Sequence, residues 1–455
     1  MKYLLTILTI SFYITCYSQN SKTLTVHVKN LPIKKIWFLF AKGDKHQIID
    51  SMYSKKDGRI DIKLNPSLEK GLYRLVLDAD KSMEIIVSNE DIEIKSEIFN
   101  LIDSTTVLSS KENIMYYNHL KFEKKISEKM KRLDDLTIDF DPKSDFIKTP
   151  VTKKYSEYIL QKEKYYQSLI AQNSNLYAKN LILAKRTIDV LPSLNNEERT
   201  NYLKIHYFDY IDITNETYLT SDVFSDKIFQ LLNLYSNSHF TFEEQENAYI
   251  EACKNILPKV KNNKALFDFT MEFLVRGFEY FRFEKTLQYL ATEYKPENSC
   301  ENNERKTSFQ KKMESRTTQQ IGYLVPNIIY KTSKDSLFNL YESNKQNTII
   351  VFYSSWCSHC KNDIPNLNYW YSKFENKNNL NIVAISLDEN LFDWKNFIIG
   401  NNLDFIHMSE LNGWKGKIVD DFNVYATPTF FVLDTQKKLL LKSNESKEVI
   451  EYFKK

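Results

Sequence analysis

The sequence predicts a multidomain chain: an N-terminal antiparallel β-sandwich, an α-helical middle and a C-terminal α/β domain. Two observations carry this. Apolar residues alternate with period two up to about residue 100, recur at helical spacing from about 108 to 315, and follow a strand–helix–strand order from Ile321 onward. The 455 residues also exceed one ordinary domain, since domains run roughly 100–200 residues.

The extreme N-terminus stands apart. Met1-Lys2-Tyr3 gives a short positive start, and Leu4 to Ile14 is almost wholly apolar, the length of a signal-peptide core. Cleavage after Ser18 would put Cys16 and Ser18 at the −3 and −1 positions. Residues 1–18 are therefore expected to form a signal peptide, and the mature protein to lie in the periplasm or cell envelope. The alternatives are an uncleaved anchor and lipidation of Cys16, for which Thr15 is a poor neighbour. No other stretch approaches ~18 consecutive apolar residues, so no integral membrane span is expected after signal removal.

The β-sandwich is expected over 19–105. Thr23 to Lys29 alternates, Ile36 to Phe40 is an apolar run, and Asp57-Gly58 forms a turn before the strand Arg59 to Lys63. Leu72 to Leu77, Glu84 to Val87 and Ile92 to Lys95 continue the series. The helical domain is expected over 106–315. Its apolar faces include Ile114, Tyr117, Leu120, Phe122 and Ile126, then Phe224, Ile228, Leu231 and Leu232, then Leu266, Phe269, Phe273 and Phe278. Pro142, Pro150, Pro192 and Pro258 read as breaks between helices. Lys295 to Gln320 is polar and reads as a connector.

Composition excludes several functions. Hydrophobic residues are 42% and charged residues 27%, a globular balance. The 62 basic and 59 acidic side chains leave a net charge of +3, so no strong field invites nucleic acid. Only eight glycines are present, too few to suggest Gly-rich phosphate loops. Once Cys16 leaves with the signal, four cysteines remain: Cys253, Cys300, Cys357 and Cys360. Cys253 and Cys300 can pair in an oxidising compartment or stay as buried thiols.

The other two carry the chemistry. Thr348 to Tyr353 is a continuous apolar run, as a buried central strand should be. It leads into Ser354-Ser355-Trp356-Cys357-Ser358-His359-Cys360, after which Ile364, Leu367, Trp370, Tyr371 and Phe374 mark a helix. Cys357 thus sits where a helix begins, where unpaired N–H groups and the helix dipole favour a thiolate. Thiolate is the nucleophile of thiol–disulfide exchange. Cys357 is the expected attacker and Cys360, one turn on, the resolving thiol, with His359 adding positive charge beside the thiolate. A zinc site needs about four ligands, and no second pair is at hand, so no metal is expected. A stapling disulfide is the bland alternative, and Trp356 before the pair favours redox work.

These residues resemble the thioredoxin superfamily and, within it, the exported TlpA-like thiol–disulfide oxidoreductases. Pro365 stands five residues after Cys360, as the family's helix proline does. Tyr425-Ala426-Thr427-Pro428-Thr429-Phe430-Phe431-Val432 matches the segment in which the family carries a cis-proline. The resemblance covers about 135 residues, from Ile321 to Lys455, and implies a thioredoxin fold over 321–455. It also implies that Trp356, Thr427 and Pro428 meet substrate, with Thr427 offering its backbone to an extended client. The redox-active disulfide Cys357–Cys360 would be the only cofactor.

Departures from the family pattern matter too. Val351 stands where many thioredoxins bury an aspartate. Asp363 replaces the family's glutamate three residues after the second cysteine, either as proton shuttle for Cys360 or as a first-turn acid favouring the helix dipole. Ser358-His359 replaces the Gly-Pro of strong reductants and points to a potential of about −250 to −180 mV. Leu391 to Ile399 reads as an inserted helix anchored by Trp394, while Trp414 and Tyr425 either line the groove or pack in the core.

The first 320 residues loosely resemble modules found ahead of TlpA-like domains in envelope proteins, through the spacing near Asp57-Gly58 and the approach Thr220-Ser221-Asp222-Val223-Phe224. That resemblance implies no chemistry. The expected function is an exported thiol–disulfide oxidoreductase acting on cysteine-containing envelope proteins and served by a membrane electron donor or acceptor. The alternative is an envelope binding protein whose N-terminal modules recognise a partner, with an accessory redox domain. A peroxiredoxin-type peroxidase fits poorly: Ser354 has the right spacing, but the expected proline is missing.

Overall fold

The structure, a computed structural model, describes residues 22–138, 145–172, 175–294 and 307–454. The chain forms two compact units, Met1–Leu274 and Val275–Lys455.

The first unit opens with β1 (Lys22–Lys29), β2 (Lys35–Lys42), β3 (Lys45–Tyr53), β4 (Arg59–Leu64), β5 (Gly71–Asp78), β6 (Lys81–Val87), β7 (Ile92–Glu97) and β8 (Thr106–Ser109). They build two four-stranded sheets, ordered β4-β1-β7-β8 and β3-β2-β5-β6. Alternation does what the pattern requires: Leu24, Val26 and Val28 of β1 and Ile60, Ile62 and Leu64 of β4 are buried while their neighbours face outward. One pairing departs from the antiparallel expectation, because β1 and β7 run parallel. The chain reaches β7 from the other sheet, so no hairpin dictates its direction. The Asp57-Gly58 turn needs its glycine: φ is +80°, and a Cβ there would lie 2.1 Å from the Val28 carbonyl oxygen.

The helices α1 (Lys111–Ile138), α2 (Asp145–Ala171), α3 (Tyr177–Lys185), α4 (Asn196–His206), α5 (Val223–Leu234), α6 (Phe242–Val260) and α7 (Lys264–Tyr280) follow. Two expected breaks lie inside helices instead, Pro150 in α2 and Pro258 in α6. Pro150 lies in the second turn of α2 and Pro258 in the last turn of α6, so each helix continues past its proline with one backbone hydrogen bond fewer. Pro192 does separate α3 from α4, and Pro142 lies outside the described residues.

The inward face of α1 matches the apolar expectation in part: Tyr117 and Ile126 are buried, but Ile114 is exposed and Tyr116, Glu112, Asn113 and His119 are buried too. Two of the buried polar groups, Asn113 and Glu112, are anchors. Asn113 pairs with both backbone groups of Ile86, at 2.9 and 2.8 Å, as a further strand residue would. Glu112 accepts the N–H groups of Tyr177 and Ala178, at 3.0 and 2.7 Å, capping α3 with a negative charge. Glu84 of β6 gathers the Tyr116 hydroxyl, Lys185 and Arg74. Cys253 is a fully buried thiol whose pKa burial drives far upward. Its proposed partner Cys300 lies outside the described residues.

The second unit carries α8 (Glu284–Glu293) and α9 (Ser308–Thr318) ahead of the α/β part. The expected connector therefore contains a helix. Thr307 and Gln310 form its capping box, and Met313 is buried. Gln319, just past α9, donates to the Phe422 carbonyl at 2.7 Å and accepts from Lys442 at 2.6 Å.

Beyond it come β9 (Ile329–Lys331), β10 (Leu337–Asn339), β11 (Asn347–Tyr353), α10 (Cys360–Lys373), β12 (Leu380–Ser386), α11 (Leu391–Gly400), β13 (Ile406–Ser409), α12 (Lys417–Asp421), β14 (Thr429–Leu433), β15 (Leu439–Ser443) and α13 (Ser446–Tyr452). The main sheet has the order β13-β12-β11-β14-β15. β11, β12 and β13 are parallel, whereas β14 and β15 are antiparallel. One apolar cluster joins α10, α11 and α13 to residues such as Ile349 and Val351. Another joins α12 to Ile350 and Phe352. Successive residues of β11 thus feed opposite layers, which is why its run is apolar throughout.

Candidate active site

β11 delivers the chain to the C-terminal edge of the sheet, and Trp356-Cys357-Ser358-His359-Cys360 turns there into α10. The turn is tied by Lys361 N–H to Cys357 carbonyl at 3.2 Å and Asp363 N–H to His359 carbonyl at 2.9 Å. Opposite it, Thr427-Pro428 is joined by a cis peptide bond just before β14. The Cys357 thiol donates to the Thr427 carbonyl at 3.2 Å, and the Cys360 N–H lies 3.4 Å from the Cys357 sulfur. Cys357, Cys360 and the Thr427-Pro428 turn therefore meet in one place.

The two sulfurs differ. Cys357 retains 9% of its surface exposed, whereas Cys360 is fully buried. Burial works to raise the Cys357 thiol, but hydrogen bonds from the Cys360 side chain and N–H, from the Thr427 side chain and from the His359 N–H outweigh it. The net result is a thiol below its ordinary value. Burial drives Cys360 the other way, far above the ordinary thiol range. One sulfur is prepared to ionise and the other to stay protonated until called on. His359 serves through its backbone; its ring is exposed at the N-cap of α10 and makes no capping hydrogen bond.

Trp356 is 56% exposed and flanks Cys357. Trp414 is 38% exposed, while Tyr425 is half-buried with Lys312 and Lys442 over its ring, at 5.9 and 5.5 Å. Trp394 anchors α11 as its position suggests, buried with its indole N–H donated to the Tyr353 hydroxyl at 3.1 Å.

Asp363 is committed elsewhere than Cys360. Its Oδ1 accepts the N–H of Ser446 at 2.8 Å and the Ser446 hydroxyl at 2.5 Å, fastening the start of α13. Asp363→Ala is expected to cost about 1 kcal/mol of stability, as loss of a helix cap does. Urea unfolding checks this, and a large drop in exchange rate without destabilisation would instead favour the proton-shuttle role.

A further buried carboxylate, two residues past the end of β12, is tied to the approach to the motif. Asp388 is 1% exposed. Its carboxylate accepts the Ser355 N–H at 3.2 Å, the Ser355 hydroxyl at 2.6 Å and the Ser386 hydroxyl at 2.6 Å. Among the described residues no group of three or more His, Cys, Asp and Glu side chains is placed to hold a metal ion.

Residues 345–439 match the thioredoxin-like family. Thiol-disulfide oxidoreductase ResA of Bacillus cereus (strain ATCC 10987 / NRS 248) is 26% identical over 152 residues, covering 33% of this chain and 86% of the relative. ResA of Bacillus anthracis is 28% identical over 153 residues, with the same 33% and 86% coverage. Among solved structures, a thioredoxin-like protein from Bacteroides caccae ATCC 43185 is 18% identical, with 59% of this chain and 97% of that one covered and a TM-score of 0.35. A thiol:disulfide interchange protein from Bacteroides sp. is 19% identical, with 30% and 90% covered and a TM-score of 0.28. The C-terminal region is a thioredoxin-like domain, and the chain is an oxidoreductase. Within that class its similarity is to the thiol-disulfide oxidoreductases named ResA.

Proposed function

We propose that this chain is an exported thiol–disulfide oxidoreductase that exchanges disulfides with cysteine-containing envelope proteins through Cys357-Ser358-His359-Cys360. The observation that carries the reading is the asymmetry of the two sulfurs: Cys357 retaining 9% of its surface and lowered in pKa, Cys360 fully buried and raised. In the reducing direction the Cys357 thiolate attacks one sulfur of a client disulfide. That S–S bond breaks, a mixed disulfide forms, and the client's second sulfur leaves as a thiol after taking a proton. Cys360 then loses its proton and attacks the Cys357 sulfur, closing the internal disulfide and releasing the client's other thiol. Two electrons have passed to the client; run backwards, the same steps oxidise it. A membrane electron donor or acceptor would reset the pair.

Trp356 and the Thr427-Pro428 turn border Cys357 and serve as the client-binding edge. Export rests on the N-terminal pattern of residues 1–18, which lie outside the described residues. Among the described residues no helix is long and apolar enough to cross a membrane.

Trapping tests the proposal. Cys360→Ala leaves Cys357 able to attack but unable to be resolved, so mixed disulfides should accumulate in the envelope fraction and collapse to free chain on reduction with dithiothreitol. The expected result is covalent adducts absent from the Cys357→Ala, Cys360→Ala double variant. Equal adducts in both variants would overturn it.

A further inference from the structure

We infer that Asp388 is a positioning residue for disulfide exchange, holding the approach to Cys357 in register. This deepens the reading above and rests on it. The carboxylate receives both polar groups of Ser355, two residues before Cys357, and is itself fixed to the end of β12 through the Ser386 hydroxyl, which in turn accepts the Asp388 N–H at 3.0 Å. The Ser409 hydroxyl adds a tie from β13, donating to the Ser386 carbonyl at 3.0 Å. The loop that aims Cys357 at the Cys360 N–H and the Thr427 carbonyl is therefore pinned to two strands of the sheet.

Stability alone does not call for an aspartate here. No basic side chain pairs with Asp388 among the described residues, and an anion held only by neutral donors pays a desolvation cost that an apolar residue or an amide avoids. What a carboxylate adds is acceptor capacity in two directions at once, enough for both Ser355 groups and Ser386 together. Asp388 thus acts on Cys357 through its hydrogen bonds to the approach at Ser355.

The variants test this. Asp388→Ala removes the anchor, so the Cys357 sulfur loses its alignment with the Cys360 N–H. Exchange with insulin should fall about tenfold, the scale of a misplaced reacting group, and the pH midpoint of Cys357 alkylation should rise. Asp388→Asn keeps an acceptor for Ser355, so exchange should stay within about threefold of wild type and the alkylation midpoint should move less than in Asp388→Ala. Ser355→Ala removes one bond, with a loss that should vanish in the Asp388→Ala background. All are measured in the full chain with thermal unfolding alongside, and Ser355→Ala carries the test should Asp388→Ala not fold. The inference is overturned if Asp388→Ala and Ser355→Ala leave the alkylation midpoint and exchange rate unchanged, or if Asp388→Asn loses as much exchange as Asp388→Ala. Should the wild-type chain itself fail to exchange disulfides, the functional reading falls, while the alkylation midpoints still decide the role of Asp388.

Discussion

Replacing Cys357 by serine is expected to bring insulin reduction by the full chain to the uncatalysed background. No other group in the site has both access to a client and a stabilised anion. A serine hydroxyl in the same place has no accessible thiolate-like form near neutral pH, and Cys360, fully buried and driven upward by its burial, cannot take over the attack. The pH dependence follows from the same geometry. The hydrogen bonds donated to Cys357 favour its charged form, so its folded value lies below that of an ordinary thiol. Alkylation of the native chain should then reach half its plateau at a lower pH than alkylation of the unfolded chain, with Cys357 modified first and Cys360 only on unfolding. Peptide mapping after iodoacetamide treatment reads both. Equal labelling of the two cysteines, or a midpoint above the ordinary thiol value, would contradict the asymmetry.

The sequence was legible where short-range chemistry decides the outcome. The apolar run of β11, the Trp356-Cys357-x-x-Cys360 turn into α10 and the Thr427-Pro428 turn before β14 each declare themselves within ten residues. Their meeting follows from the order of strands, since β14 lies beside β11. Other features were hidden for physical reasons. β3 is an edge strand in which no residue is buried, so it has no alternation to read. The helix α9 is polar and short, and only the Thr307–Gln310 capping box marks it. Asp388 and Asp363 gain their roles from partners 33 and 83 residues away, Ser355 and Ser446. No local pattern encodes such contacts. His359 reads as a charge donor in sequence, yet it is the backbone N–H of the turn that reaches the sulfur.

The largest expected effect on stability lies in the other unit, at Glu84. This carboxylate sits on β6 and takes the Tyr116 hydroxyl from α1, Lys185 from α3 at 2.9 Å and Arg74 from β5 at 3.4 Å. Lys185 also donates to the Tyr116 hydroxyl at 2.6 Å, and Arg74 reaches Asp222, just before α5, at 2.5 Å. Sheet and helices are thus joined through one network. Glu84→Ala would leave the Lys185 ammonium, about three-quarters withdrawn from solvent, without its ion-pair partner and hydrogen-bonded to the Tyr116 hydroxyl. Breaking a buried pair from one side costs more than the pair itself contributes, and about 2–3 kcal/mol is expected here. Glu84→Gln, which keeps an acceptor, should lose less. The pH dependence has a definite sign. Burial opposes ionisation of Glu84, but Lys185, Tyr116 and Arg74 together hold its folded value below the ordinary carboxylate range. A depressed acid stabilises the fold above its unfolded value, about 4.3, and that contribution disappears as pH falls through the folded value. Wild type and Glu84→Gln should therefore differ most near neutral pH and converge in acid, whereas a gap that widened below pH ~4 would show that the network does not hold its charge as the geometry requires.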